Sequence, residues 1–127
     1  MKNIIIILGF LLIPLINKSQ VILYSNTANI ISWNNSTEEW DITETMYINA
    51  FIEFKNNYKI LIITDEVYTY QFLTKLHLTT DKKYLQGNII NKRGIEYYFN
   101  YDLTANIILI IETNANTGVL YNIINKR

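Results

Sequence analysis

His77, the only histidine of the chain, is the first side chain to consider for acid–base or metal chemistry. It falls on the polar side of an alternating stretch, beside Lys75 and Thr79, which is typical of a solvent-facing residue on a strand. A general base or a metal-bound histidine needs an orienting partner. No such partner lies close in sequence, although Asp81 or Glu66 could approach in space. We therefore predict a solvated histidine.

Acidic residues concentrate in the segment from Ser36 to Glu44, which has the oxygen atoms that a calcium ion prefers. A calcium loop normally turns on a glycine, and this segment contains none. The chain also lacks the GxSxG, HExxH, phosphate-loop and dinucleotide-binding motifs. We predict a non-enzymatic protein with no catalytic residue, no metal and no cofactor.

Aromatic residues are the most distinctive candidates for binding. Two tryptophans flank a polar loop, and several tyrosines and phenylalanines alternate along segments that read as strands. Their inward faces could line a pocket for a small apolar ligand, or they could simply fill the core of a small β protein. The candidate ligand-binding residues are Trp33, Trp40, Tyr68, Phe72, Tyr97 and Phe99.

A second aromatic set has the opposite parity on its strands. It consists of Tyr47, Phe51 and Tyr98. Such residues predict either an exposed patch that binds a partner or the inner layer of a second sheet. The sequence leaves both alternatives open.

Period-two alternation is the main structural signal. It predicts one strand from Met46 to Phe54, a tight hairpin at Asn56 and Asn57, and a long strand from Val67 to Thr80 with a bend or bulge in it. The segment TEEWDIT reads as a strand or a covering loop. The apolar run IILII, residues 107–111, predicts a central strand.

The fold class follows from the number and spacing of these segments. Seven to nine short strands are joined by brief turns, and no segment after residue 20 has helical periodicity or a proline. We predict an all-β protein with a single small domain over residues 20–127. Its antiparallel meander closes as a barrel or folds as a two-sheet sandwich.

The hexapeptide NIINKR occurs twice, at residues 88–93 and 122–127, and contains both arginines of the chain. The flanking residues differ, and no third copy has matching spacing, whereas a solenoid needs at least three units. We interpret the copies as two similar strand endings with polar, turn-like NKR segments. An old hairpin duplication and an anion site are the alternatives.

The N-terminal residues have the layout of a secretory signal peptide. Lys2 precedes thirteen apolar residues, from Ile4 to Ile16, and a polar segment follows up to Gln20. A helix of this length reaches about 20 Å, short of a membrane's hydrocarbon core of about 30 Å. We predict cleavage after Ser19 and no stable membrane span in the mature chain. A retained anchor and a buried first element are the alternatives.

The net charge and the absence of cysteine exclude some classes of partner and some covalent modifications. Without Lys2 and Lys18, 9 of the 11 basic residues remain against 11 acidic ones, so the mature net charge is −2. A nucleic-acid partner is therefore not expected. The chain has no cysteine, which excludes disulfides and a lipoprotein anchor.

These features predict a small bacterial protein exported to the periplasm, the cell surface or the medium. We expect it to act through binding or surface association, with an unidentified protein or a small apolar molecule as partner. The first alternative is a lipocalin-like carrier with an internal cavity. The second is a periplasmic inhibitor or immunity-type protein.

Overall fold

A computed structural model describes residues 21–55 and 59–126 of the 127-residue chain. The predicted signal peptide and the Asn56–Asn57 turn lie outside these residues. The described residues form strands and turns and contain no helix, which confirms the all-β prediction. The strands are β1 Val21–Asn34, β2 Glu39–Met46, β3 Ala50–Lys55, β4 Lys59–Ile63, β5 Val67–Phe72, β6 His77–Leu78, β7 Tyr84–Asn91, β8 Glu96–Asp102, β9 Ile107–Glu112 and β10 Thr117–Lys126.

The sheet closes into an antiparallel barrel, which decides between the two predicted architectures. Eight strands form the closed wall in the order β1-β3-β4-β5-β7-β8-β9-β10, and β10 pairs with β1 to complete it. Seven pairs of Cα partners along β10 and β1 lie between Tyr24 and Ser32. Closure by pairing distant ends of the chain removes the exposed edges that an open sheet would have.

Strand β1 is long because it serves two partners on the same side. Its first part, Val21–Ser25, pairs with β3, and its second part, Ala28–Asn34, pairs with β2. The change of partner coincides with register shifts between Ser25 and Ala28. The β1–β2 hairpin therefore extends beyond β3, and β2 is bonded to the barrel along one edge only.

The barrel interior is filled by alternate side chains from every wall strand. Phe54 and Phe99 meet edge to face at its centre, with ring centroids 5.9 Å apart. Neither has more than 2% of its surface exposed. The buried core comprises Leu23, Ala28, Ala50, Ile52, Phe54, Ile60, Ile62, Leu85, Ile89, Phe99, Tyr101, Ile108, Ile110, Tyr121 and Ile123.

Two predicted strands are interrupted in the structure. The strand predicted from Met46 to Phe54 is broken at residues 47–49, because the chain moves there from pairing with one half of β1 to pairing with the other. The run predicted from Val67 to Thr80 ends as β5 at Phe72. Leu76 then lies over Gly87, where an added Cβ would come within 2.6 Å of it. The segment TEEWDIT is a strand, β2.

The two NIINKR copies adopt different structures. In the first, Asn91 ends β7 and the following residues form the turn into β8. In the second, Asn125 and Lys126 remain in β10 and pair with β1. The prediction that both NKR segments are turn-like is therefore wrong for the second copy up to Lys126, because the long β1 offers it a partner. Arg127 lies outside the described residues.

Candidate ligand-binding site

Four tyrosines meet at one end of the barrel and form the candidate site, called here the tyrosine cluster: Tyr68, Tyr70, Tyr97 and Tyr121. Tyr68 and Tyr70 are on β5, opposite the buried Ile62 and Ile60 of β4, so both have the inward parity of that strand.

Tyr97 and Tyr121 reach the cluster from β8 and β10. Exposure falls from 45% for Tyr68 at the rim to 7% for Tyr121 deeper in the barrel. The cluster therefore extends from an exposed tyrosine to a buried one.

The rings of Tyr70 and Tyr97 form the central contact of the cluster. Their centroids are 5.3 Å apart and their planes are nearly perpendicular, at 87°. The side-chain amide of Asn91 donates a hydrogen bond of 3.3 Å to the Tyr97 hydroxyl. This edge-to-face pair and its hydrogen bond restrict both rings, so the wall is preformed.

Two clefts open on either side of this ring pair. The first, called the rim cleft, has a volume of about 280 Å³ and is lined by Val67, Tyr68, Thr69, Tyr70, Asn91, Lys92, Arg93 and Tyr97. The second, called the inner cleft, has a volume of about 250 Å³ and is lined by Ile30, Tyr70, Tyr97, Ile110, Glu112, Thr117, Gly118, Val119 and Tyr121.

The turn between β7 and β8 presents the cationic side of the rim cleft. The side-chain oxygen of Asn91 accepts hydrogen bonds from the backbone N–H groups of Arg93 and Ile95, at 2.9 and 3.0 Å. Gly94 closes the turn with φ at 85°, a conformation that favours glycine. Asn91 therefore both orders the turn that carries Lys92 and Arg93 and holds the Tyr97 hydroxyl.

Burial raises the pKa of three phenols of the cluster, those of Tyr70, Tyr97 and Tyr121. It raises the pKa of Tyr70, with further contributions from Tyr121, Tyr97 and Tyr68, and raises the pKa of Tyr121 to about 12. Burial also raises the pKa of Tyr97, with Glu112 adding to the rise and Arg93 opposing it. At neutral pH these hydroxyls are therefore uncharged hydrogen-bonding groups attached to apolar rings.

The predicted ligand-binding residues are only partly brought together. Tyr68 and Tyr97 line the rim cleft, Phe72 packs against the core, and Phe99 lies within the core with no exposure. Trp33 and Trp40 are directly paired between β1 and β2, with ring centroids 5.5 Å apart. They share one face of the hairpin with the buried Ile31 and the exposed Ile42, whereas Ile30, of opposite parity, lines the inner cleft.

Several residues of the site are absent from the predicted set, among them Tyr70, Tyr121 and Arg93. Tyr70 could have been found from its alternation with Tyr68. Tyr121 alternates with Val119 and Ile123, which gives an inward parity, but alternation along one strand does not indicate which side chains of other strands it will meet. The placement of Arg93 depends on the turn that Asn91 forms.

The predicted surface patch is split between two parts of the barrel. Tyr47 and Phe51 line an open cleft of about 500 Å³ with Ile48, Asn49, Ile63, Thr64 and Asp65. Phe51 also contacts Tyr24 on β1, at 5.1 Å between ring centroids. Tyr98 lies on β8, between Asn88 of β7 and Ile111 of β9. It shares no strand neighbour with Phe51.

The described part of the chain has no group of three or more histidine, cysteine, aspartate or glutamate residues that could hold a metal ion. His77 is exposed on the two-residue strand β6. Within residues 21–55 and 59–126, no helix has the length and apolar character needed to cross a membrane.

Comparison with known proteins finds no relative for this chain. No protein-family model, no curated protein and no solved structure matches it. Function must therefore be inferred from the residues and their geometry alone.

Proposed function

We propose that this is a small non-enzymatic binding protein that holds a small molecule at the tyrosine cluster. The ligand class that fits has a flat apolar body of one or two rings and an anionic group. The observation that carries this proposal is the Tyr70–Tyr97 ring pair, which separates two clefts and lies beside the cationic turn at Lys92 and Arg93.

The chemistry of the lining supports this ligand class. Aromatic rings favour flat apolar partners, and neutral phenols offer hydrogen bonds without the cost of burying a charge. Lys92 and Arg93 line the rim cleft, whereas Glu112 lines the inner cleft. An anionic group is therefore attracted to the rim and repelled from the inner end, which sets the orientation of the bound molecule.

Cleft size limits the ligand. Each cleft lies near or just below the lower end of the range for small-molecule pockets, about 300–1,000 Å³, at about 280 and 250 Å³. The lipocalin-like alternative would place the ligand inside the barrel. The packed Phe54–Phe99 pair occupies that space, so binding at the mouth is the better-supported form of the carrier hypothesis.

A pair of fluorescent probes tests the proposal. 8-Anilinonaphthalene-1-sulfonate combines aromatic rings with an anionic group, and N-phenyl-1-naphthylamine is its uncharged counterpart. We expect the purified protein to bind the anionic probe more tightly. Arg93→Gln should weaken the anionic probe by about three- to ten-fold, corresponding to about 1 kcal/mol for one exposed charge pair, and leave the uncharged probe unchanged.

Matched variants make the outcome specific. Lys83→Gln removes a positive charge just before β7 starts, whereas Arg93 follows the other end of the same strand. The Lys83→Gln variant should therefore bind both probes with unchanged affinity. Tyr97→Leu should weaken both probes, because it removes the aromatic wall. Equal losses in Lys83→Gln and Arg93→Gln, or unchanged binding in Tyr97→Leu, would contradict a site at the tyrosine cluster.

We also propose that the protein is exported and acts outside the cytoplasm after cleavage behind Ser19. The support is the positive, apolar and polar order of the first twenty residues. Cleavage at this point would leave every described strand intact.

A further inference from the structure

Among the residues that the structure describes, strand β2 has a pairing partner along one edge only. It pairs with β1 on one side, and no other described strand pairs with it. The seven residues from Glu39 to Thr45 are all exposed. Backbone N–H and C=O groups on the open edge are therefore available to an added strand.

Two of the usual protections of an edge strand are missing from β2. Natural edge strands are commonly protected by lysine and other charged side chains, by proline or by a bulge. β2 contains neither lysine nor proline. Its one irregularity is the register shift between Ile30 and Ile31 of β1, which leaves Thr43 of β2 without a Cα partner.

That bulge sorts the side chains of β2 onto two chemically different faces. Glu39, Asp41 and Glu44 are opposite Asn34, Ser32 and Ile30, which share one face of β1. Trp40 and Ile42 are opposite Trp33 and Ile31, which share the other face. Without the extra residue, Glu44 would fall on the face of the tryptophans.

Charge complementarity identifies the kind of strand that this edge would accept. No lysine or arginine occurs between Val21 and Phe54, so nothing along β1, β2 or most of β3 balances the three acids of β2. A second copy of this chain, paired edge to edge through β2, would bring like charges together, which is unfavourable. A basic strand would place opposite charges across the pair.

We propose that β2 is the docking edge for an extended segment of a partner protein in which lysine or arginine alternates with aliphatic or aromatic residues. The segment adds to the sheet as a strand through backbone hydrogen bonds. Its basic residues lie beside Glu39, Asp41 and Glu44, and its apolar residues extend the face of Trp40 and Ile42. The docking edge contains none of the four tyrosines of the tyrosine cluster, and the proposal does not depend on the function proposed for that cluster.

Synthetic peptides test the proposal directly. The probe is an acetylated, amidated octapeptide in which three lysines alternate with three valines between terminal threonines, labelled with fluorescein. Two controls are a peptide with glutamate in place of lysine and a peptide of the same composition with lysines and valines in separate blocks. We expect fluorescence anisotropy to detect binding of the alternating basic peptide only.

Amide NMR locates the bound peptide. Chemical shifts and slowed hydrogen exchange should be confined to Glu39–Met46 and its neighbours on β1. The double variant Asp41→Asn and Glu44→Gln should weaken binding by about three- to ten-fold, because two exposed charge pairs are lost. The matched control, Asp65→Asn with Glu66→Gln in the β4–β5 turn, should bind like the unmodified protein.

Distinct outcomes would overturn the proposal. If the block peptide binds as tightly as the alternating basic peptide, alternation is not recognised. If the acidic peptide binds as tightly, positive charge is not recognised. Equal weakening by the control variant would show non-specific electrostatics. A dimer in sedimentation velocity in which β2 amides are already protected from exchange would show that a second copy occupies the edge. Absence of binding would reject the segment chemistry proposed.

Discussion

At the scale of single residues, burial changes the acid–base properties of several tyrosines. Burial raises the pKa of Tyr121 to about 12, and the pKa of Tyr101 in the core likewise to about 12. A phenol in the unfolded chain has a pKa of about 10. The folded barrel therefore holds these protons more tightly than the unfolded chain does, and the difference links its stability to alkaline pH.

The sign of this linkage gives a prediction. Between about pH 10 and 12 the unfolded phenols are ionised while the folded ones are not, so the free energy of unfolding should fall as pH rises. Tyr121→Phe should reduce the fall in the free energy of unfolding between pH 8 and pH 11 by about 1 kcal/mol, because it removes one phenol whose pKa is raised in the folded state. Urea denaturation followed by tryptophan fluorescence measures it.

The control for this experiment is Tyr47→Phe, which removes a phenol that is 82% exposed. It should leave the pH dependence unchanged, since an exposed hydroxyl is in contact with water in both states. An identical pH dependence for Tyr121→Phe and the unmodified protein would contradict the proposed link between burial and stability.

At the scale of the element, the close approach of β9 to β10 depends on Gly118. It is opposite Ile31 on one side and Ile111 on the other. A Cβ added to Gly118 would lie 2.6 Å from the carbonyl oxygen of Ile110 and 3.1 Å from the Cα of Ile111. Both atoms belong to the backbone, so relief of this contact requires the strands to move apart.

We expect Gly118→Ala to lower the free energy of unfolding by about 1–3 kcal/mol, the usual cost of overpacking. Gly87→Ala is the matched control, because its added Cβ would meet mainly the flexible end of Leu76, also at 2.6 Å. Urea denaturation of the two variants should show a smaller loss for Gly87→Ala. A loss in Gly118→Ala no larger than in the control would show that β10 adjusts freely.

At the scale of the whole molecule, closure explains how a chain without cysteine maintains its fold. Eight strands form a continuous wall, and the pairing of β10 with β1 joins residues about one hundred positions apart, such as Tyr24 and Asn125. Stability then comes from core packing and from strand pairing that continues around the whole wall. Such a fold suits an oxidising compartment as well as a reducing one, because no thiol is involved.

The export hypothesis predicts the mass of the mature protein. Protein purified from the exported fraction of its own host should have an intact mass that corresponds to residues 20–127, or to that chain with its N-terminal glutamine cyclised to pyroglutamate. The same native mass spectrum would reveal a bound molecule of a few hundred daltons. A full-length mass would contradict cleavage after Ser19.

The local sequence pattern was sufficient to predict the class of fold and many of the side chains that face the barrel interior. Alternation with a period of two residues is a property of neighbouring positions, so it identified strands and gave Tyr68, Phe72, Tyr97 and Phe99 the inward parity that they have in the barrel. The same alternation could not reveal the break at residues 47–49. That break exists because β1 is shared between two strands, which is a property of the assembled sheet.

The sequence by itself determined that this chain is all-β, and it gave the inward parity of most of the aromatic residues on β5 and β8. Only the tertiary structure decided between barrel and sandwich, brought Tyr121 to Tyr70, and placed the acids of β2 on one face. These outcomes depend on strand register and on pairs of residues far apart in the chain. A shift of one residue reverses the face of every side chain that follows, and the bulge at Thr43 makes that shift for Glu44.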